Sequence, residues 1–439
     1  MNASSPAKPS EGPRIPNVVI VGAGYSGAYC AQALERRLRP SQTNVTLIDK
    51  NNYFVAYPLL VEAGTGSIEP RHTVVSIRSF LRKTTFIMAQ VTRLDIAGSK
   101  VICRIPQSGQ DLEVPYDHLV IALGSSTRMP PVPGLKENGM EVKSLSDAVA
   151  LRDWAIGLLE AAAATTDAAL RRALLHFVVV GANFTGAEVA GELDAFLGSA
   201  IRHYPTLDPK AYSITLVERS HRILAALDEE LAEYATKKMR ARGIDVRLNE
   251  SVSAMTATTA TLESGEVLAA HTVFWTAGIQ PPALLANTDL PKDERGYLIC
   301  ERDLRIKDHP NLWGVGDCAV KTDAKGNAYP ATAQHGLREG VHAARNIAHV
   351  LKGEPTTPCD IVDKGSLAAL GCRTGVAKVF GIRVSGFAAW WLWRTVYLIK
   401  MPGLARKLRI ALDWTLELFF RRDYVQLGVH KIERPAPPH

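Results

Sequence analysis

Two strings of one grammar, Gly22-Ala-Gly24-Tyr25-Ser26-Gly27 and Gly181-Ala-Asn183-Phe-Thr185-Gly186, constrain this chain more than anything else in it. Each directly follows an apolar, mostly β-branched run, Val18 to Val21 and Phe177 to Val180. Such a run reads as a buried strand, and the glycine turn after it reads as the entry to a helix. In a strand, turn and helix of this kind the first glycine permits the tight turn. The second lets backbone approach a pyrophosphate, and the third packs helix on strand. The helix N-terminus adds free N–H groups and partial positive charge. Two copies therefore predict two dinucleotide sites, one able to hold a flavin and the other a nicotinamide.

The length of 439 residues allows two or three domains. Residues 15 to 50 read as strand (Asn17 to Val21), helix (Ala28 to Leu38) and strand (Asn44 to Asp49), and Asp49 can accept hydrogen bonds from ribose hydroxyls. A helical stretch from Val74 to Leu81, a strand around Phe86 to Val91 and a hairpin-like pair through Lys100 to Val114 follow. The segment ends in a buried strand running into Gly124. A proline-rich joint, Met129 to Gly134, marks a boundary. From about 145 to 283 the grammar repeats: a long alanine-rich helix, a strand at 176 to 180, a helix from Ala187 to Phe196, a strand from Tyr212 to Glu218, and Thr272 to Gly278 mirroring the approach to Gly124. After Pro281-Pro282 come Gly316-Asp317 and a helix from Thr332 to Val350. The expected class is α/β, with two Rossmann-like domains, the second inserted in the first. The boundaries are a disordered leader (1–14), a flavin-binding domain in two parts (15–130 and 291–355), a nicotinamide-binding domain (145–283) and an amphipathic C-terminal region (356–439).

The second turn departs from the first at its middle position. Asn183 tolerates left-handed backbone, so the turn survives, but its side chain is expected to stand in the pyrophosphate path. Glu218 ends the next strand in the ribose position and favours a free 2′-hydroxyl, hence NADH over NADPH; Arg219 and Arg222 weaken that preference. The competing reading is a degenerate nucleotide domain retained as scaffold.

Six cysteines are scattered with no C-x-x-C and no metal-ligand spacing, so no metal is expected and a reduced cytosolic setting fits. The N-terminus lacks the apolar stretch of a secretory signal. From Arg383 to His439 ten Lys/Arg face four Asp/Glu, so the basic excess lies in the tail; no nucleic-acid-binding module accompanies it. Phe387 to Ile399 is strongly apolar but only thirteen residues long, short of the ~20 a spanning helix needs. A second helix, Leu404 to Phe420, places Leu404, Leu408, Ala411, Leu412, Thr415 and Phe419 on one side, flanked by basic residues. Four of the seven tryptophans fall between 390 and 414. The pattern suits peripheral attachment to an anionic leaflet on the cytoplasmic side. A homodimer interface, or a helical pair covering the flavin domain, is the other reading of the same stripe.

By Gly181 to Glu192 the residues become recognisable: the chain resembles the type II NADH:quinone oxidoreductases, within the two-dinucleotide flavoprotein reductases. Asp49-Lys50-Asn-Asn-Tyr, Pro58-Leu-Leu, the helix carrying Glu188 and Glu192, Gly316-Asp317, Thr332-Ala333-Gln334-His, and Gly365 to Gly371 carry the resemblance. It implies FAD as cofactor, NADH as co-substrate and a quinone, ubiquinone or menaquinone, as acceptor. Gly22, Gly24, Tyr25, Ser26, Gly27, Asp49 and Lys50 would hold the ADP half of FAD. Val91 would meet its adenine, Ala122 and Gly124 would lie by its phosphates, and Gly316 and Asp317 would reach its ribityl chain. Ala333 and Gln334 would sit against the isoalloxazine, where the quinone arrives. Gly181, Asn183, Thr185, Gly186 and Glu218 would bind NADH and Gly278 would line the nicotinamide path, with Glu188 near the nicotinamide and quinone side of the flavin and able to take part in proton movement. Glu188 and Gln334 are thus the catalytic candidates. Arg338 and Gly336 depart from the family's A-Q-x-A-x-Q pattern. Two other readings stay open: a soluble flavin reductase for another acceptor, and a flavin-bearing membrane module without turnover.

Overall fold

The computed structural model describes residues 14–428. The leader expected over 1–14 lies outside the described residues but for Arg14, as do Lys431, Glu433 and Arg434 of the tail. In chain order, the first half carries β1 (Asn17–Val21), α1 (Tyr25–Arg37), β2 (Asn44–Asp49), α2 (Leu60–Gly64), β3 (Thr85–Met88), β4 (His118–Ile121), β5 (Gly139–Met140) and α3 (Leu145–Ala164). The second half continues with β6 (His176–Val180), α4 (Phe184–Ala200), β7 (Ser213–Glu218), β8 (Asp245–Leu248), β9 (Thr272–Trp275), β10 (Leu312–Gly314) and α5 (Ala333–Leu351). The C-terminal part holds β11 (Gly365–Ala369), β12 (Gly375–Val379), β13 (Ile382–Gly386), α6 (Phe387–Lys400) and α7 (Leu404–Phe419).

The chain forms two compact units: one of residues up to Phe54, Ser76–Ser126 and Gln280–Ile361, the other of Val55–Val75, Thr127–Ile279 and the chain from Val362 on. The first unit is built on a parallel sheet in the order β10-β4-β1-β2-β3. Val18, Val19, Ile20 and Val21 are fully buried, as a parallel strand covered on both faces requires. The turn after β1 lies where strand order reverses, with β2 on one side and β4 on the other. Ligands of open α/β sheets bind at such a point.

The second unit repeats this plan, its sheet running β5-β9-β6-β7-β8, again all parallel. Here α4 is buried along most of its length through Val189, Ala190, Leu193, Phe196 and Leu197. Both helices begin earlier than the sequence pattern suggests, at Tyr25 and Phe184, because the middle residue of each turn is already the N-cap. The expected helix from Val74 to Leu81 is instead a strand, Val74–Ser76, followed by one helical turn, Ile77–Phe80. Adjacent β-branched valines favour extended backbone there. The strand expected around Phe86 to Val91 is two, Thr85–Met88 and Gln90–Asp95, the second pairing antiparallel with Lys100–Arg104.

Within the second unit, β11, β12 and β13 form an antiparallel sheet. Gly191 of α4 meets its first turn so closely that a Cβ would lie 2.2 Å from the Leu370 carbonyl oxygen. Helix α7 is inverted relative to an ordinary surface helix. Leu404, Leu408, Leu412, Leu416 and Phe419 are exposed, whereas Ile410 and Trp414 are buried and the acids turn inward. Asp413 accepts the Glu69 N–H at 3.1 Å and pairs with His72 Nδ1 at 2.6 Å; Glu417 accepts from Ser67 Oγ at 2.9 Å.

Candidate functional site

The first glycine turn has the geometry its sequence demands. Gly22 has φ +100°, a left-handed value, and a Cβ there would lie 2.3 Å from the Ala122 carbonyl oxygen. Gly27 packs so tightly that a Cβ would fall 1.8 Å from the Gly22 oxygen. Gly24 is different. Its φ of −72° and ψ of −165° suit any residue, and a Cβ would meet nothing within 4 Å. Its glycine therefore keeps space open at the N-terminus of α1 rather than serving the backbone, which is what a pyrophosphate needs. Asp49 Oδ2 accepts the Ala23 N–H at 2.7 Å and Oδ1 the Asn51 N–H at 2.7 Å, so the turn itself aims the carboxylate. Burial pushes the Asp49 pKa up while these two N–H bonds oppose it.

Around this turn the same unit gathers the other flavin candidates. Tyr25 is half-buried and Ser26 buried at the start of α1, while Lys50 is exposed beyond Asp49. Val91 is buried; Ala122 is buried and donates its N–H to Val21 O. Gly124 has φ +66° with open space where a Cβ would go, and Ser125 Oγ lies 3.4 Å from Asp317 Oδ2. Asp317 sits on the one-turn helix Gly316–Cys318. Ala333 and Gln334 are half-buried at the N-terminus of α5, behind the Thr332 cap. A Cβ on Gly336 would come 2.6 Å from Ser26 Oγ, so the family's alanine would require the Ser26 hydroxyl to turn aside. Arg338 is half-buried on the same helix. The open cradle at Gly24 and Gly124, with a carboxylate held at each end, fits an FAD.

The second turn reproduces the first nearly atom for atom. Gly181 has φ +93°, and a Cβ on Gly186 would lie 1.8 Å from the Gly181 oxygen. Glu218 Oε2 accepts the Ala182 N–H at 2.6 Å and Oε1 the Ser220 N–H at 2.8 Å, matching the two roles of Asp49. One expectation for Asn183 is corrected. Its backbone is not left-handed: φ −70° and ψ −171° match Gly24. Its side chain is held at the α4 N-terminus by two bonds. Oδ1 accepts the Gly186 N–H at 3.0 Å and Nδ2 donates to the Thr276 carbonyl at 2.8 Å. Asn183 is thus an N-cap, and it occupies one of the N–H groups that a glycine would leave to an anion. Thr185 is half-buried beside it. Gly278 has φ +82°, and its carbonyl accepts the Arg128 N–H at 3.1 Å.

Glu188 and Glu192 share the buried face of α4, as their spacing implies. Glu188 Oε1 accepts the Ala369 N–H at 3.2 Å. Burial pushes its pKa up to about 8, with the Ala369 bond opposing and the nearby Glu62 and Glu192 adding to the rise. Such a carboxyl is protonated through neutral pH and can hold a proton for a redox step.

Two buried charge clusters are absent from the sequence reading. One joins Glu62, Glu192, Arg394, Glu417 and Arg422 in the second unit. The other is Lys321 with Glu339 in the first. No local signal marks either, because in one dimension these residues look like surface charges. All six cysteines are unpaired. Burial pushes Cys30 up to about 12 and Cys318 up to about 11, so these thiols are not nucleophiles at neutral pH.

The family described as pyridine nucleotide-disulphide oxidoreductase matches residues 16–340, and the NDH2 C-terminal domain matches residues 364–423. The chain belongs to the pyridine nucleotide-disulphide oxidoreductase family, on its type II NADH dehydrogenase branch. It is 31% identical over 406 residues to a demethylphylloquinone reductase of Synechocystis sp., covering 91% of this chain and 95% of that protein. A type II NADH:quinone oxidoreductase of Staphylococcus aureus is 29% identical over 401 residues, 89% of this chain and 97% of that one. The solved NDH2 of Plasmodium falciparum in complex with NADH superposes with a TM-score of 0.86 at 19% identity, over 94% of this chain and all of that one, and it confirms the fold. Among the described residues no helix is long and apolar enough to cross a membrane.

Proposed function

We propose that the protein oxidises NADH through a bound FAD and reduces a membrane quinone, ubiquinone or menaquinone, without pumping protons. The observation that carries this reading is the duplicated turn, with Gly24 open, Asp49 and Glu218 held alike, and the flavin candidates gathered in one unit. We take 15–130 with 291–355 as the FAD-binding domain and 145–283 as the NAD(H)-binding domain. Gly22, Gly24, Gly27, Asp49, Gly124 and Asp317 hold the flavin nucleotide; Gly181, Asn183, Thr185, Gly186 and Glu218 bind NADH. FAD supplies the two-electron centre that accepts hydride from NADH and can serve a quinone. The overall balance is NADH, quinone and one proton giving NAD⁺ and quinol, so one proton must come from the medium. Glu188, whose raised pKa keeps it protonated near neutral pH, is the candidate carboxyl to hold it, and Gln334 at the α5 N-terminus is the candidate quinone contact.

Anaerobic NADH should bleach the flavin absorbance, and a short-chain quinone should restore it. Failure to bleach overturns hydride transfer; bleaching that quinone does not reverse favours the soluble reductase for another acceptor. Because the useful form of Glu188 is the protonated one, quinone reduction should decline as pH rises through about 8. In Glu188→Gln the rate should be lower and that limb of the profile flat.

The inverted α7 supports attachment to an anionic leaflet, which we take as the cytoplasmic one, since its outward leucine stripe lies beside the exposed Arg409, with the half-buried Arg406 and Lys407 on the same helix. The same face would be covered in a homodimer. Leu408→Asp/Leu412→Asp removes two side chains worth ~1.5–3 kcal/mol each in apolar burial. Sedimentation with anionic vesicles at low salt should fall on the order of 100-fold while flavin content stays unchanged. Loss of a dimer in place of vesicle binding would assign the stripe to self-association instead.

A further inference from the structure

The two peptide units that flank Gly316 are each held by a charged side chain. The Gly316 N–H donates to Glu339 Oε2 at 2.6 Å, and its carbonyl accepts from Lys321 Nζ. Lys321 Nζ in turn lies 2.8 Å from Glu339 Oε2, with side-chain exposures of 5% and 1%. Burying two such ions is expensive, and an isolated pair of this kind is often replaced by apolar residues without loss of stability. Its geometry is therefore more informative than its strength. Both polar groups flanking one glycine are tied to it, and that glycine has φ +74° with Ser26 Oγ 2.4 Å from where a Cβ would sit.

The carboxylate cannot drift either. Helix α5 touches α1 backbone to backbone, a Cβ on Gly340 falling 2.0 Å from the Ser26 oxygen, and Glu339 is the residue before it. The chain thus fixes the orientation of two successive peptides with respect to both helices, and the second of them joins Gly316 to Asp317. We propose that Lys321 and Glu339 are positioning residues: their ion pair locks the two peptides on either side of Gly316, the second of which leads into Asp317, so that Asp317 presents its carboxylate to the ribityl chain of FAD. This rests on the FAD reading above.

Titration of the full-length apoprotein with FAD, followed by quenching of flavin fluorescence, tests it. Lys321→Met and Glu339→Gln should each weaken FAD binding by ~10-fold or more. Glu339→Gln keeps shape and an acceptor for the Gly316 N–H, so it reports even where Lys321→Met fails to fold. In the Lys321→Met background Asp317→Ala should weaken binding little further, because the misdirected carboxylate is already lost; a purely structural pair would give additive effects. FAD affinities within twofold of the parent, with only the melting temperature lowered, overturn the proposal. A parent apoprotein that does not bind FAD overturns the functional reading beneath it, which the variants alone cannot do.

Discussion

Gly24→Val should give a folded protein without flavin. Its φ of −72° is open to any residue and a Cβ meets nothing within 4 Å, so no term in the protein's own packing opposes the side chain. The valine methyls instead fill the gap at the α1 N-terminus through which a pyrophosphate must come, and FAD affinity should drop on the order of 100-fold, about 3 kcal/mol. Gly27→Ala is the necessary contrast. There a Cβ would lie 1.8 Å from the Gly22 oxygen, a clash with backbone that no rotamer relieves. That variant should lose the fold of the first unit together with its flavin. Flavin absorbance per protein and far-UV circular dichroism separate the two outcomes. Gly24→Val retaining its yellow colour would show that the cofactor does not approach through this turn.

The same comparison shows which parts of the site were legible in one dimension. Strands β1 and β6, both turns and the acids Asp49 and Glu218 follow from residue type and spacing, because a buried parallel strand and a positive-φ glycine leave few alternatives. The cap that Asn183 makes on the Gly186 N–H, three positions on, is a local signal its residue type offers at a helix start. The Thr276 carbonyl that captures its amide lies 93 positions away, and only the fold reveals that bond. Likewise the stripe of Leu404, Leu408 and Leu412 was visible as periodicity, but periodicity does not say which face looks outward. A polar inner face made by Asp413 and Glu417 reverses the usual inference that leucines point to the core. Glu188 and Glu192 were placed on one face correctly, yet the Ala369 N–H that meets Glu188 comes from a strand 181 positions on.

Within the second unit the tail is held by buried apolar side chains, Trp393, Ile410 and Trp414 among them, and also by charge. Arg394 Nε and Nη2 donate to Glu62 Oε1 at 3.2 and 3.1 Å, and Nη2 also donates to Glu417 Oε2 at 2.6 Å. Its guanidinium lies between two indoles, 4.2 Å from the Trp390 ring centroid and 4.8 Å from that of Trp414. Trp414 Nε1 donates to Glu62 Oε2 at 2.6 Å, and Arg422 closes the cluster on Glu192 at 3.0 Å. Three carboxylates thus share two guanidiniums. Burial raises the Glu62 pKa above its ordinary 4.5; Arg394 opposes that rise, while Glu192 and Glu417 add to it.

Arg394→Met leaves Glu62 and Glu417 short of one cation in a buried site, a situation that costs ~3–5 kcal/mol. The loss should depend on pH in a defined direction. An acid whose folded pKa is raised binds more protons folded than unfolded, so stability falls as pH climbs from about 4.5 toward the raised value. Removing Arg394 raises that value further and extends the fall to higher pH. Urea unfolding should therefore show a modest deficit for Arg394→Met at pH 5 and a much larger one at pH 8. Adding Glu62→Gln should recover a good part of the deficit at pH 8 and little at pH 5, because only at the higher pH is the removed carboxylate forced to ionise. A deficit equal at both values, or one that Glu62→Gln deepens at pH 8, would mean that Arg394 acts through its packing between Trp390 and Trp414 and that its charge is incidental.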